Sequence, residues 1–160
     1  MRIHAFLSES PLFAIRQASR RFEDLTARLL SADQVGFLEG LVLATLFFEA
    51  PTPVKPSQLA ATFETTRGNV SHCISSLEAK GYLQRKIDPA DARGYELTLK
   101  PLGKRCAVRA IEVFDRMQRD FEREIGKPAL SEMLTTLRRL ESAASGTSGP
   151  LEAAGGKVRR

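Results

Sequence analysis

Between Lys55 and Lys104 the chain carries one uninterrupted order of local signals, KPSQLAATFETTRGNVSHCISSLEAKGYLQRKIDPADARGYELTLKPLGK. Pro56 opens a short helix that runs through Phe63, with Leu59, Ala60 and Phe63 facing inward. Thr66 is a residue of the kind that caps helices, and it precedes a second helix from Arg67 to Lys80. The inward stripe of that helix is Val70, Ile74 with Cys73, and Leu77, and Gly81 is the expected stop. Tyr82 to Ile87 is strand-like, with Leu83 and Ile87 marking an apolar face and Arg85 between them. Asp88 to Gly94 is a turn-rich loop, and Tyr95 to Leu99 alternates cleanly and pairs back as a hairpin. A helix pair followed by a hairpin sets one helix to enter a groove of double-stranded DNA with the hairpin beside it.

The flanks read as helices. Ser10 precedes Pro11 as an N-cap precedes a first-turn proline, and a helix follows to about Leu30, apolar at each end and basic in the middle at Arg16, Arg20 and Arg21. Asp33 is placed to cap a helix from Gln34 to Glu49 that is apolar nearly all round and therefore buried on most sides. Gly36 and Gly40 share one face of it, where a neighbouring helix has reason to come close. The stretch from Pro51 to Pro56 is a turn that no helix crosses. A long helix starts at Pro101 and reaches Ile125, Gly126 to Pro128 break it, and a last helix spans Ala129 to Ala144. The resulting division is 1–50, N-terminal helices; 51–100, the helix pair and hairpin; 101–144, C-terminal helices; and 145–160, a small, polar, glycine-rich tail expected to be disordered.

Composition narrows the function. A net charge of +5 favours an anionic partner. The two cysteines, Cys73 and Cys106, are too few for a disulfide scaffold and lack metal-ligand spacing; each falls near the apolar stripe of a helix, where free cysteine is commonly a small buried residue. His4 and His72 stand in no motif beside a nucleophile or paired carboxylates, so no catalytic residue, cofactor or metal is expected. The first residues, MRIHAFLSESPLF, lack a secretory pattern, and the apolar stretch from Val35 to Phe48 contains Glu39 and is too short for a bilayer. A cytoplasmic protein without a membrane partner is the expectation.

The residues suited to DNA fall in two groups. Arg67, Asn69, Ser71 and His72 lie in the first turns of the second helix of the pair. Arginine pairs with guanine, asparagine with adenine, and serine or histidine with base edges or phosphates. The start of the helix at Thr66, Arg67 and Gly68 offers free amides and a positive dipole end to phosphate. On the hairpin, Arg85, Lys86 and Arg93 are basic, and Asp91 is near enough in sequence to aim Arg93 at a phosphate or a minor groove.

The same segment resembles the winged helix of the MarR family of bacterial transcription regulators. Leu59-Ala60 stands where that family ends its turn helix in an aliphatic–Ala pair. Thr66, Val70, Leu77-Glu78 and Gly81 match its recognition helix in order and spacing, and Tyr82 to Arg85 matches the strand that follows. Asp88-Pro89, Asp91 and Arg93 match its wing, and Leu97-Thr98-Leu99 leads to a helix entered near Gly103. The resemblance implies a mainly α fold, a winged helix-turn-helix with a two-stranded antiparallel wing and a helical dimerisation layer built from the first helix and the last two. It implies a homodimer on an imperfect palindrome, with repression relieved by a small aromatic or lipophilic effector in the crevice between that layer and the DNA-binding lobe. Two rival readings are a winged-helix protein–protein module and a redox-sensing regulator. Oxidation-sensing members of the family carry a reactive cysteine near the start of the chain, where this chain has none.

Overall fold

The computed structural model describes residues 2–88 and 91–146, and at residues 2, 91–93 and 146 the backbone alone. In chain order the elements are α1 (Arg2–Glu9), α2 (Pro11–Leu29), a 3-10 turn (Ser31–Asp33), α3 (Phe37–Phe48), α4 (Pro56–Thr62), α5 (Arg67–Ala79), β1 (Leu83–Asp88), β2 (Asp91–Leu99), α6 (Pro101–Ile125) and α7 (Lys127–Gly146). The fold is mainly helical with one two-stranded antiparallel sheet. Two compact units divide it, the first ending at Arg116 and the second beginning at Met117. The tail expected over residues 145–160 starts later than that, because α7 runs on through Gly146, and residues 147–160 lie outside the described residues.

Local chemistry accounts for most of the helix ends. Ser10 takes an extended conformation and its Oγ accepts the Phe13 N–H at 3.3 Å, fixing the start of α2 with Pro11 in the first turn. Ahead of it stands α1, a helix that the sequence reading did not separate. In the second unit Gly126 turns at φ 87, where glycine is at ease, and α7 starts at once at Lys127. Pro128, expected to be part of the break, sits instead in the first turn, where a missing N–H costs nothing.

The start of α3 departs from expectation. Asp33 does not cap a helix beginning at Gln34. It ends the 3-10 turn, Gln34 adopts a left-handed conformation at φ 53, and α3 begins at Phe37 with Gly36 as its N-cap. Glu39 reaches back to accept the Gly36 N–H at 3.0 Å, which supplies the cap. The Asp33 carboxylate is drawn away by Arg109 on α6, whose Nε donates to Asp33 Oδ2 at 2.8 Å and whose Nη2 donates to Oδ1. Of the two glycines, only Gly40 meets a neighbour: a Cβ there would lie 2.9 Å from the Phe114 ring, whereas at Gly36 it would enter open space.

The core of the first unit gathers Leu43 and Leu46 of α3, Leu59 of α4, Val70, Ile74 and Leu77 of α5, and Leu83 and Leu97 of the hairpin. α6 closes it with small residues one turn apart, Gly103, Cys106, Ala107 and Ala110, all buried. Small side chains let its backbone come close, and closest at Gly103, where a Cβ would lie 1.9 Å from the Tyr82 carbonyl oxygen.

The hairpin pairs Leu83 with Leu99, Arg85 with Leu97 and Ile87 with Tyr95, then slips register between Ile87 and Asp88 so that Asp88 faces Asp91. β2 therefore starts at Asp91, ahead of the expected Tyr95, and the connection expected over Asp88–Gly94 shortens to residues 89–90, which lie outside the described residues. Leu83 is buried as expected, but Ile87 is 76% exposed, because the strand has by then run past the core and only an anchored side chain turns in. That side chain is Asp88, 3% exposed. Val54 adds a bridge on the other side of β2, where the Leu97 N–H donates to its carbonyl at 3.0 Å.

Cys106 carries a pH dependence. Burial first, then the Asp33 carboxylate, push its thiol up to about 11. A raised value means that the folded state holds a proton the unfolded chain has released, so this stability is present below about 9 and is lost as pH rises from there towards 11. The parent should lose roughly 1.4 kcal/mol per pH unit across that window beyond whatever Cys106→Ala loses. Denaturant unfolding of both proteins at pH 8 and pH 10.5 measures it, and parallel losses would place the thiolate in water.

Candidate nucleic-acid interface

α4 packs on α5, and α5 on α3, through their apolar stripes, which fixes what α5 exposes. Glu64 turns the chain at φ 48, and Thr66 then caps α5, its Oγ1 accepting the Asn69 N–H at 3.1 Å. The Asn69 side-chain amide donates to Thr65 Oγ1 at 3.1 Å, holding it on the first turn. With Val70, Cys73, Ile74 and Leu77 committed to the core, Thr66, Arg67, Gly68, Asn69, Ser71 and His72 are all left exposed. The structure thus brings together the whole helical group expected from sequence.

The wing group divides. Lys86 is exposed on β1. Arg85 turns back to α5, with Nη2 donating to Ser75 Oγ at 2.9 Å and Nη1 3.1 Å from Glu78 Oε2. Its backbone N–H donates to Glu78 Oε1 at 3.3 Å, and its guanidinium stacks over the Tyr95 ring at 5.2 Å from the centroid. These contacts brace both wing strands against α5. The Asp91 and Arg93 side chains, and so the pairing expected between them, lie outside the described residues.

Between α5 and the wing runs an open cleft of about 370 Å³, lined by Lys55 and Ser57 at the start of α4, Arg67 and Ser71 on α5, and Gly94 and Tyr95 on β2. Lys55 is a residue that the sequence reading passed over. Its Nζ lies 2.5 Å from Asp88 Oδ2, and no spacing rule links a residue before α4 to one at the end of β1.

The other side of α5 borders a second crevice of about 530 Å³, lined by Glu23 and Asp24 of α2, Phe37 and Glu39 of α3, and His72 and Cys73 of α5. Lys80 crosses beside it, donating to both Glu39 oxygens at 2.9 and 3.0 Å and to the Gln34 carbonyl at 2.6 Å. Burial pushes the Glu39 carboxyl up, but hydrogen bonds from Ser76, the Gly36 amide and Lys80 outweigh it and hold the group below its ordinary value. Burial pushes the Cys73 thiol up. The Tyr82 hydroxyl donates to the Asp33 carbonyl at 3.0 Å, so the chain just after α5 grips the turn between α2 and α3 from one side while Arg109 grips it from the other. Among the described residues no group of three His, Cys, Asp or Glu is placed to hold a metal ion, and no helix is long and apolar enough to cross a membrane.

The model of the MarR family matches residues 39–95. The HTH-type transcriptional regulator PrsX of Escherichia coli is 28% identical over 87 residues, 54% of this chain and 52% of its own. The chain thus spans about half the length of the curated relatives it matches. Among solved structures, the S. aureus MepR–DNA complex is similar at a TM-score of 0.77 and 19% identity, over 84% of this chain and 98% of that one. The transcriptional repressor CouR bound to a 23-mer DNA duplex gives 0.71 and 24%, over 84% and 94%. MarR gives 0.65 and 20%, over 86% and 92%. At these identities the likeness is one of fold.

Proposed function

We propose that this chain is a MarR-family regulator of transcription, sequence-specific, binding double-stranded DNA as a homodimer and acting as a ligand-responsive repressor in the cytoplasm. One observation carries the reading: the exposed, polar and basic first turns of α5 stand beside a wing, with a cleft between them, on a chain of net charge +5. Arg67, Asn69, Ser71 and His72 read base edges in the major groove, and the free amides at Thr66–Gly68 hold a phosphate. Lys86 and Arg93 hold the backbone from the wing. Arg85 serves the interface by bracing the wing, since its guanidinium is engaged with Ser75, Glu78 and Tyr95. The MepR and CouR complexes with DNA support the same use of the same fold.

Dimerisation is supported by apolar side chains left in the open. Phe6 and Leu12 of α1 and α2 are 66% and 79% exposed, and in the second unit Ile125, Met133 and Leu134 are about half exposed. A second copy covering them accounts for such surface. The effector, a small aromatic or lipophilic molecule, is assigned to the crevice bordered by Phe37, His72 and Cys73. It acts only by binding one setting of α5 better than another, and the Lys80–Glu39 pair at its edge is the contact it would disturb. The buried thiols, pushed up and so scarcely ionised near neutral pH, favour this reading over oxidation sensing. Sedimentation at micromolar concentration, with and without a bound duplex, should give a dimer alone and two chains per duplex. A well-folded monomer that binds DNA one to one would refute the dimer.

A further inference from the structure

We propose that Lys55 and Asp88 are positioning residues for DNA binding: their ion pair clamps the wing to the start of α4 and so sets its distance from the recognition helix α5. This rests on the DNA-binding reading above. Two adjacent residues hold the two wing strands. Val54 holds β2 through its backbone, accepting the Leu97 N–H at 3.0 Å. Lys55 holds β1 through its side chain, with Nζ 2.5 Å from Asp88 Oδ2. Lys55 is itself fixed, because it is the N-cap residue of α4 and its backbone N–H donates to Gln58 Oε1 at 2.7 Å. α4 packs on α5 through Leu59 and Ala60, both buried. A second chain of contacts from recognition helix to wing, beside the direct brace through Arg85, therefore runs α5, α4, Lys55, Asp88.

The burial is uneven in a telling way. The Asp88 side chain is 3% exposed although its neighbour Ile87 is 76% exposed and the strand has left the core. An acid is not carried out of water at a wing tip without return, and the neighbouring register slip between Ile87 and Asp88 is what turns it inward. Asp88 and Lys55 both line the cleft that separates α5 from β2, so the pair sits where the width of the interface is decided.

The sign of one substitution separates positioning from plain charge. Removing an acid close to DNA should tighten binding if Asp88 acts only through its field. If it holds the wing, Asp88→Asn should weaken binding to a selected duplex by roughly tenfold, as contacting charged pairs commonly couple. Plain electrostatics also makes Lys55→Gln weaker and the Lys55→Gln/Asp88→Asn double close to the parent. The clamp makes the double no better than Lys55→Gln, because either change already releases the Asp88 end of the wing from α4. The measurement is fluorescence anisotropy on one duplex with the parent, both single variants and the double, each checked for parental circular dichroism and dimerisation. If Asp88→Asn does not fold, Lys55→Gln carries the test through a salt series. Loss of a single phosphate contact lowers the slope by about 0.9 per subunit, and loss of the wing's contacts lowers it by more. A parent that binds DNA while Asp88→Asn binds as well or better, or a Lys55→Gln slope changed by one contact or less, would overturn the clamp. A parent that does not bind DNA would overturn the function instead.

Discussion

Gly103→Ala is expected to leave no stably folded winged lobe. A Cβ at Gly103 would stand 1.9 Å from the Tyr82 carbonyl oxygen and 2.7 Å from its carbonyl carbon. Both are backbone atoms, and neither has a rotamer through which to retreat. That carbonyl also accepts the Lys100 N–H at 2.9 Å, the contact that leads the chain into α6. Relief therefore requires the start of α6 to lift off. Lifting it uncovers Cys106, Ala107 and Ala110, all fully buried. Overpacking a core typically costs 1–3 kcal/mol, and a clash against backbone at a closed helix contact belongs above that range, at about 4 kcal/mol or more. A domain holds only about 5–15 kcal/mol in total. Gly36→Ala is the control, since its Cβ would meet nothing within 4 Å and the change should cost less than about 1 kcal/mol. Denaturant unfolding of both variants against the parent measures the difference. A Gly103→Ala protein within about 1 kcal/mol of the parent would mean that α6 does not pack on Tyr82 in this way.

Arg67→Ala should cost on the order of 1–3 kcal/mol at a specific duplex and less on random DNA. Arg67 is exposed in the first turn of α5 and lines the cleft towards the wing, so it has both reach and freedom. Asn69→Ala should give a loss of the same order, with a small fall in stability besides, because its side chain donates to Thr65 Oγ1 at 3.1 Å. Measuring the melting temperature alongside affinity separates the two effects. Equal losses on specific and random duplexes would make these residues holders of the backbone and move base reading to Ser71 and His72.

The parts of the fold that were legible in the sequence are those fixed by neighbours in the chain. Ser10 and Thr66 cap because their oxygens reach amides three residues on, and the stripe from Val70 to Leu77 repeats with the turn of a helix. Gly103 was marked by its place after the wing, though only the packing on Tyr82 gives the reason. The parts that were not legible are set by contacts that only the packing of one element on another brings about. Asp33 has the chemistry of a cap, but Arg109 holds it, and α3 starts later with Glu39 supplying the cap. Arg85 has the chemistry of a phosphate contact, but Ser75, Glu78 and Tyr95 surround it. Ile87 has the chemistry of a core residue, but no core lies beneath it and the buried side chain is Asp88, held by Lys55. In each case the residue type has the expected chemistry, and a contact between elements or the edge of the core decides where its side chain goes.

Selection of bound sites from random duplex DNA by the intact chain tests the central claim most directly. A dimer presenting one α5 to each of two successive major grooves should enrich an imperfect palindrome whose half-sites are centred about 10–10.5 base pairs apart. The enriched duplex should bind far more tightly than the starting pool, with an affinity that falls steeply as salt rises. Recovery of no shared sequence after repeated rounds, or of a sequence without two-fold symmetry bound by a single chain, would contradict a dimeric, sequence-specific regulator.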